Sequence, residues 1–295
     1  MTIQIVTDST SDIPSEVLET LPITVIPLYI NLNGKSYLDR TELSRQEFYQ
    51  QLPTAHPHPT TAAPSPGQFK QTYDKLADQG ATVIFSIHIS GSLSAVFSSA
   101  KVAAEQYSRI PVHAIDSGNL SLAEGLIVIK AARAVKEGKS EQEVYDIIKD
   151  TIPNAYAYAK LDTIDYLLKG GRMSSIQHSI VGLLGIKPIL RMNNHIAKME
   201  VARTKSKAFE RVVRVAAEYA PLAEQIGITH ANALDQVEAL LAELDKRCPG
   251  YPKPLISEVT PSLGSHVGPG ALCVNWIESK DHVEPEKKGF KKWFS

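Results

Sequence analysis

Short apolar runs alternate with longer amphipathic stretches through the first half of the chain. The runs IQIVTDS, TVIFSIHIS and VHAIDSG each predict a buried strand that ends in polar residues. The stretches SLSAVFSSAKVAAEQY and SLAEGLIVIKAARAVKEG follow two of these runs and have the spacing of helices. Strands that alternate with helices in this way predict a mostly parallel sheet flanked by helices.

Local signals mark where several other elements begin and turn. The segment ITVIPLYINLNGKSYLD predicts two strands joined at Asn33-Gly34, and PTAHPHPTTAAPSPG predicts a loop. Three helix starts carry a capping box, in which a serine and a Glu or Gln three residues later satisfy each other's backbone amides. The capping-box pairs are Ser44–Glu47, Ser65–Gln68 and Ser140–Glu143.

The pattern changes in the second half of the chain, where antiparallel pairs mix with helices. AYAYAKLD predicts a strand, and KPILRMNNHIAKMEVAR predicts a hairpin that turns at Asn193-Asn194. Helices and the strands EQIGITH and PLISEVT follow, and GSHVGPGAL predicts a glycine-rich loop around His266. We therefore expect two α/β domains, residues 1–154 with a mostly parallel sheet and residues 155–280 with a mixed sheet.

The composition of the 295-residue chain is typical of a globular protein, with 43% hydrophobic and 21% charged residues. Its 31 basic and 32 acidic residues give a formal net charge of -1, so no global field would attract nucleic acid. Apart from His56 and His58 in a flexible stretch, the histidines and the two cysteines lack metal-ligand spacing. A signal peptide and a membrane-spanning apolar run are both absent, so we expect a cytoplasmic protein.

Residues 281–295 are expected to form a separate tail. The last residues, EKKGFKKWFS, combine lysines with Phe and Trp, which is the makeup of a membrane-surface anchor. A disordered chain end is the alternative interpretation. The first interpretation predicts a protein that is peripheral at the membrane.

Polar residues follow the strands of the predicted parallel sheet, at the edge where ligands bind in open α/β sheets. Ser92 and Ser94 lie at the entrance of a predicted helix, whose free N–H groups and dipole favour an anion. The same serines are also ordinary helix caps. The phosphate-loop motif GxxxxGK[ST] does not occur in the sequence.

Two arginines are candidates for contact with an anionic group or a partner. Arg172 follows Gly170-Gly171 at a predicted helix end, where a guanidinium suits a carboxylate or phosphate, or simply complements the helix dipole. Arg203 lies beside the start of another helix, where positive charge opposes the dipole. It indicates either a partner-binding surface or a solvated charged face.

A serine-type hydrolase or transferase is an alternative that the residue types allow. Ser94 or Ser92, His266 and Asp8 or Asp116 supply the three kinds of side chain. However, GSLSA is not the G-x-S-x-G elbow, so acyl transfer has no specific support. A binder of a small phosphorylated metabolite at the serine-rich edge is the other alternative.

Seven segments give the chain a resemblance to a known family. They are IVTDSTSDIP, PLYINLNGKSYLD, TTAAPSPGQF, SIHISGSLSAVFSSA, AIDSGNLSLAEG, LDTIDYLLKGGRMS and GSHVGPGAL. In this order they extend over nearly the whole chain, which resembles the DegV family, bacterial fatty-acid-binding proteins that serve a fatty acid kinase. The resemblance implies two α/β domains with a long-chain fatty acid between them and no cofactor.

The resemblance also implies roles for individual residues. It places the fatty acid carboxylate at Thr61, Ser94 and His266, with Arg172 nearby, and gives Arg203 a role in engaging the kinase. The family often has hydroxyl-bearing residues where this chain has Ala62 and Val96, which makes Ser92 an alternative to Ser94. Apolar residues expected to line the tunnel or to form ordinary core are Ile164, Leu167, Leu183, Ile186 and Ile189.

The function that this resemblance implies is that of a non-catalytic lipid carrier. The chain would present the carboxylate to a separate fatty acid kinase, which forms the acyl phosphate. An acyltransferase of phospholipid metabolism would then take the product. The absence of a nucleotide-binding motif in the sequence agrees with a carrier that depends on a partner enzyme.

Overall fold

A computed structural model of the chain describes residues 2–176 and 185–279. The predicted tail, residues 281–295, and the predicted tunnel residue Leu183 lie outside the described residues. The strands are β1 (Ile3–Asp8), β2 (Ile23–Ile26), β3 (Tyr29–Leu32), β4 (Lys35–Leu38), β5 (Thr60–Ala62), β6 (Val83–His88), β7 (Val112–Asp116), β8 (Ala155–Lys160), β9 (Lys187–Asn193), β10 (Ile196–Ala202), β11 (Ala223–His230), β12 (Leu255–Glu258) and β13 (Leu272–Glu278). The helices are α1 (Ser15–Leu18), α2 (Arg45–Gln51), α3 (Pro66–Asp78), α4 (Val96–Glu105), α5 (Ser121–Lys136), α6 (Glu141–Thr151), α7 (Asp165–Lys169), α8 (Lys205–Tyr219), α9 (Leu234–Arg247) and α10 (Pro261–Val267).

The three predicted capping boxes are present at the starts of α2, α3 and α6. In each, the serine hydroxyl accepts a bond from the backbone N–H three residues later, and the Glu or Gln side chain accepts one from the serine N–H. These bonds satisfy N–H groups that have no partner inside the helix. The start of each helix is therefore determined by four consecutive residues.

The first sheet has the order β2-β1-β6-β7, and all of its strands run parallel. Ile5 and Phe85 share a hydrophobic cluster with residues of α5. Val6 and Ile84, their neighbours in the chain, share another cluster with residues of α4. Because successive strand residues point to opposite faces, helices cover both sides of this sheet, and the predicted architecture is confirmed.

A small antiparallel sheet, β4-β3-β5, stands apart from the parallel sheet. The prediction of one strand before Asn33-Gly34 is wrong, because β2 and β3 are separate strands in different sheets. Pro27 separates them, and a proline has no N–H with which to continue a ladder. Part of the predicted loop is also a strand, since Thr61 of β5 pairs with Ile30 of β3.

The second sheet has the order β10-β9-β8-β13-β11-β12 and is mixed, as predicted. β11 and β12 are parallel, and the other pairs are antiparallel. The β9–β10 hairpin turns at Asn194 and His195, which have φ values of 43° and 70°. This turn is one residue later than predicted, because Asn193 still pairs with Ile196 in the ladder.

The chain around His266 is helical, so the prediction of a loop there is wrong. α10 carries His266 in its last turn. Pro261 occupies the first helical position, and Gly268, with a φ of 71°, follows the last. These residues are ordinary start and stop signals for a helix. The apolar run that follows is β13, which lies between β8 and β11 in the second sheet.

α5 lies between the two sheets. Twelve of its sixteen residues are buried, and it contacts β1 of the first sheet and β8, β11 and β13 of the second. A helix buried on nearly all sides is apolar around its whole circumference, which explains the weak amphipathicity of its sequence. The division into domains at residues 1–154 and 155–280 stays a prediction. Across residues 2–176 and 185–279, none of the helices combines the length and the apolar character needed to cross a membrane.

Candidate functional site

A cavity with a mostly apolar wall lies between the two halves of the molecule. It encloses about 1040 Å³ of atom-free space, its open mouth included. Leu93 and Leu120 line it from the first half, and Leu161, Leu190 and Met192 line it from the second. Such a wall binds hydrocarbon groups through the hydrophobic effect.

Of the described residues predicted to line the tunnel or to form core, one lines the cavity and three pack in hydrophobic clusters. Leu167 lines the cavity, as predicted. Ile164, Ile186 and Ile189 pack in hydrophobic clusters instead. Their apolar character was visible in the sequence, but the face on which each side chain lies depends on tertiary packing.

Four of the predicted site residues line this one cavity. Thr61 comes from β5, Ser94 from the turn before α4, Arg172 from the segment after α7, and His266 from α10. The Thr61 hydroxyl lies 3.2 Å from Nε2 of His266. Thr61, His266 and Arg172 thus form a polar cluster in a mostly apolar wall, and Ser94 lines the same cavity. Other polar residues that line the cavity are Thr10, Ser121, Arg191, Thr229 and Ser262.

The imidazole of His266 is buried, with 9% of the residue exposed. Its Nδ1 atom has no hydrogen-bond partner within the described part of the chain. Burial, and to a smaller extent the charges of Arg172 and His58, lowers the pKa of His266 to about 4. The ring is therefore neutral near pH 7 and has one N–H to donate.

Ser94 and Arg172 line the same cavity as Thr61 and His266. The backbone N–H of Ser94 donates to the Ser90 carbonyl at 3.1 Å. The Ser94 hydroxyl oxygen accepts a bond from the Val96 N–H at 3.4 Å, which leaves its hydrogen available to a ligand. Arg172 donates from Nη1 to the Gly170 carbonyl at 3.0 Å, and its charge lies close enough to act on His266.

Ser92 and Arg203 are not among the residues that line the cavity. Ser92 is exposed, and its hydroxyl donates to the His195 carbonyl at 3.4 Å, in the turn of the β9–β10 hairpin. Arg203 is exposed just before α8. Ser92 as a carboxylate ligand and Arg203 as a partner contact both stay predictions.

His58 lies next to the site, although the sequence analysis predicted no role for it there. Its Nε2 donates to the Ser265 carbonyl at 2.8 Å, next to His266 in α10. Its ring centroid lies 5.7 Å from that of Tyr166. The neighbouring His56 suggested only a metal pair, so no signal in the sequence pointed to a contact 207 positions away.

The residues of the hydrolase alternative are not assembled into a triad. Asp8 pairs with His88 at 2.9 Å, and Asp116 accepts bonds from the N–H groups of Gly91 and Gly118. His266 is bonded to Thr61 and not to either carboxylate. The geometry therefore gives Ser94 no activating base held by an acid.

A Ser-His-Asp chain does exist elsewhere, in the interior of the first sheet. Ser86 lies 2.6 Å from Nε2 of His88, and Nδ1 of His88 lies 2.9 Å from Asp8. All three residues are fully buried, and the Tyr73 hydroxyl donates to Ser86. None of the three lines the cavity, so a substrate has no access to this serine and the chain is a buried polar network.

A small phosphorylated metabolite also fits the cavity poorly. A phosphate needs several converging N–H or cationic donors, whereas most of this wall is carbon. Among residues 2–176 and 185–279, no cluster of three or more His, Cys, Asp or Glu side chains could hold a metal ion. The arrangement suits a ligand with one small anionic group and a long apolar part.

The sequence model of the DegV family, described as an uncharacterised protein family, matches residues 2–279. The chain belongs to the DegV family. The protein DegV of Bacillus subtilis is 35% identical over 282 residues, which cover 94% of this chain and 99% of the relative. A DegV domain-containing protein of Listeria monocytogenes is 36% identical over 278 residues, covering 93% of this chain and 98% of the relative.

Solved structures of DegV-family proteins share the fold. The crystal structure of Bacillus subtilis DegV, described as a fatty acid binding protein, has a TM-score of 0.86 at 32% identity and covers 95% of this chain and 100% of its own. A DegV-family protein from Thermus thermophilus, described by its fatty acid binding, has a TM-score of 0.82 at 29% identity, with the same coverage. Fatty acid binding is thus described for both of these DegV-family proteins, which share this architecture.

Proposed function

We propose that this DegV-family chain binds a long-chain fatty acid in the cavity between its two halves. The observation that carries the proposal is the contact between Thr61 and the buried His266, with Arg172 close by, in a mostly apolar wall. The carboxylate is held by the hydroxyls of Thr61 and Ser94 and by the Nε2–H of His266, with Arg172 as the nearby positive charge. The fatty acid binding described for the Bacillus subtilis and Thermus thermophilus relatives supports this assignment.

The apolar wall and the polar cluster of the cavity contribute differently to binding. Burial of each methylene contributes about 0.8 kcal/mol, so a long acyl chain gains on the order of 10 kcal/mol before the costs of association. Charge-assisted hydrogen bonds contribute roughly 1.5–3 kcal/mol each. The apolar wall therefore supplies most of the affinity, and the polar cluster fixes which end of the ligand lies at His266.

The fatty acid carried in this way is a substrate for a separate enzyme. We assign the chain no catalytic step: a fatty acid kinase phosphorylates the carboxylate, and an acyltransferase of phospholipid metabolism takes the acyl phosphate. Arg203 lies on the exposed surface before α8, where it can meet an acidic or phosphate-bearing face of the kinase. The predicted role of Arg203 is tested by comparing acyl phosphate formation with wild-type protein and with Arg203→Ala.

The decisive experiment is a titration of delipidated protein with a long-chain fatty acid. One molecule bound per chain, with weaker binding by His266→Ala, is the expected result. Absence of stoichiometric binding rejects the proposal. Covalent labelling of Ser94 or Ser92 by a serine-reactive probe would favour the hydrolase, and a phosphorylated molecule extracted from purified protein would favour the metabolite binder.

Membrane contact by the tail is a separate proposal, which rests on the sequence of residues 281–295. Deletion of residues 284–295 should weaken co-sedimentation with anionic vesicles, because the tail lysines attract anionic headgroups. Deletion should leave fatty acid binding unchanged. Equal co-sedimentation of the full and shortened chains would dismiss the anchor.

A further inference from the structure

α7 and α10 contact each other through two glycines, each of which faces an aromatic ring from the other segment. Gly268, at the end of α10, lies against the ring of Tyr166 in α7. Gly170, at the end of α7, lies against the imidazole of His266 in α10. A Cβ atom at either glycine would overlap the facing ring, so both rings occupy space that only glycine leaves open.

The two adjacent glycines after α7 are needed for different reasons. Gly171 has a φ of 70°, which favours glycine, and a Cβ there would meet nothing within 4 Å. Gly170 has φ and ψ values of -78° and -4°, which any residue adopts. At Gly170 a Cβ would overlap Nδ1 of His266 and lie 3.0 Å from its Cε1 atom and 2.9 Å from the Tyr166 carbonyl oxygen. The requirement at Gly170 is therefore one of space and not of backbone conformation.

The position of the imidazole depends on this contact. Gly170 covers the Nδ1 side of the ring, and the opposite nitrogen, Nε2, faces the Thr61 hydroxyl at 3.2 Å. The ring is thus held between a glycine on one side and a hydrogen-bond partner on the other. A methyl group at residue 170 would push the ring out of this place and change its distance to Thr61.

Tyr166 and His58 hold the helix that carries His266. The Tyr166 ring fills the space beside Gly268, and the His58 ring lies against Tyr166 with 5.7 Å between centroids. His58 also donates to the carbonyl of Ser265, the residue before His266. α10 is therefore fixed on both sides of His266.

We propose that Gly170 is a positioning residue for the ligand carboxylate, acting through the imidazole of His266, and that Tyr166 packed on Gly268 holds α10 in place for this contact. The inference deepens the proposed function and rests on it for its binding measurement. It also assigns Gly170, the first glycine of the pair before Arg172, a role in the ligand site in addition to ending a helix.

The test compares Gly170→Ala with Gly171→Ala, in the wild-type chain and in His266→Ala. Gly170→Ala should weaken fatty acid binding about tenfold, as expected for loss of one good hydrogen bond, and should cause no further loss in His266→Ala. Gly171→Ala should lower the melting temperature through backbone strain while leaving affinity near that of wild type. An equal loss from Gly170→Ala with and without His266 would overturn the inference.

A second measurement uses protein without ligand, so that failure of the proposed function can be told apart from failure of this inference. Imidazole ¹⁵N signals of His266, assigned with His266→Ala, should shift in Gly170→Ala and not in Gly171→Ala. Unchanged signals in Gly170→Ala overturn the positioning role even if wild-type protein binds fatty acid. If wild-type protein binds no fatty acid, the proposed function fails and the imidazole signals still decide the positioning.

Tyr166 supplies a second pair of variants if Gly170→Ala does not fold. Tyr166→Ala should shift the His266 signals and weaken binding several-fold, because α10 loses the ring packed on Gly268. Tyr166→Phe keeps the ring and should behave as wild type. Loss of binding in Tyr166→Phe, or unchanged His266 signals in Tyr166→Ala, would contradict the role of this contact.

Discussion

The Thr61 hydroxyl and the His266 imidazole meet at 3.2 Å, although 205 positions separate them in the chain. Thr61 is presented by the short strand β5 of the small sheet, and His266 by the last turn of α10. The small sheet and α10 are in contact, which brings the two side chains together at the cavity. The candidate site therefore exists only when the first and last parts of the chain are packed against each other.

Replacement of Thr61 by valine should weaken fatty acid binding by about tenfold, because the carboxylate and His266 both lose a hydroxyl partner. Thr61→Ser keeps the hydroxyl and should restore most of the affinity. Thr60→Val is the matched control, since Thr60 lies next to Thr61 on β5, is exposed and bonds Asn31. Isothermal titration calorimetry measures the three affinities, and an equal loss in Thr60→Val would contradict a specific role for Thr61.

Fatty acid binding should take up protons and strengthen as the pH falls from 7 toward 4. Burial and the charges of Arg172 and His58 lower the pKa of His266 to about 4 in the free protein. A carboxylate beside the ring favours the protonated imidazole, so the pKa of His266 is higher in the complex. Because the complex then holds more protons than the free protein, lower pH favours binding.

Calorimetry in two buffers with different ionisation heats measures this proton uptake. His266→Gln retains an N–H donor but does not titrate in this range, and should bind without the uptake. Identical buffer dependence in wild type and His266→Gln would show that the proton is taken up elsewhere.

Asp12 should make the protein more stable at pH 5 than at pH 7. Burial raises the pKa of Asp12 to about 6, against bonds from Ser121 and Thr260 that lower it. The folded state then binds the proton more tightly than the unfolded state, whose pKa is 3.8, so stability increases as the pH falls through 6 toward 4. For this group alone the gain between pH 7 and 5 is about 1 kcal/mol.

Urea unfolding of wild type and Asp12→Asn at both pH values isolates the contribution of Asp12, because other titrating groups cancel in the difference. Asparagine keeps an acceptor for the Thr260 N–H, which Asp12 accepts at 2.9 Å. The free energy of unfolding of the variant should lack the increase between pH 7 and pH 5 that Asp12 contributes in the wild type. The same change in both proteins would mean that Asp12 ionises freely in the folded state.

Asp162 should be far more important for stability than its exposed partner Lys205. Asp162 accepts from the buried Lys160 at 2.8 Å and from Lys205 at 2.6 Å, and Lys160 also donates to the Gly270 carbonyl at 2.7 Å. Burial lowers the pKa of Lys160, while its bond to Asp162 opposes that shift. Asp162→Asn leaves the Lys160 charge without a counter-ion and should cost about 3 kcal/mol.

Lys205→Met removes the exposed partner, whose side chain is 68% accessible, and should cost less than about 1 kcal/mol. Denaturant unfolding of the two variants measures both effects. Lys160→Met combined with Asp162→Asn should recover much of the loss, because the uncompensated charge is gone. Equal destabilisation by Asp162→Asn and Lys205→Met would contradict the assignment.

Local sequence was sufficient to predict where an element begins or turns when the contacts that stabilise it lie within a few residues. Ser44 and Glu47 satisfy each other's amides without help from the rest of the protein, so the start of α2 is visible in the sequence. The Asn33-Gly34 turn is likewise local and was predicted correctly. Around His266, the number of glycines and prolines suggested a loop, although Pro261 and Gly268 mark the start and end of a short helix.

The candidate site was predictable only as a set of residue types and by family resemblance. The placement of Thr61, Ser94 and His266 on one cavity depends on contacts between distant segments, which no local pattern encodes. Gly170 shows the same limit: a helix end explains Gly171, whereas the need for Gly170 comes from an imidazole 96 residues further along the sequence.

β13 is one of the two central strands of the second sheet, and within the described residues it is the last strand of that sheet in chain order. During translation the strands β8 and β11 leave the ribosome before the neighbour that joins them, and each has an unpaired edge until Leu272–Glu278 emerges. His266 lies just before β13, so the candidate site forms only when synthesis has passed both. A nascent chain that stops short of β13 would leave one edge of β8 and one edge of β11 unpaired, which favours aggregation, and its candidate site would be incomplete.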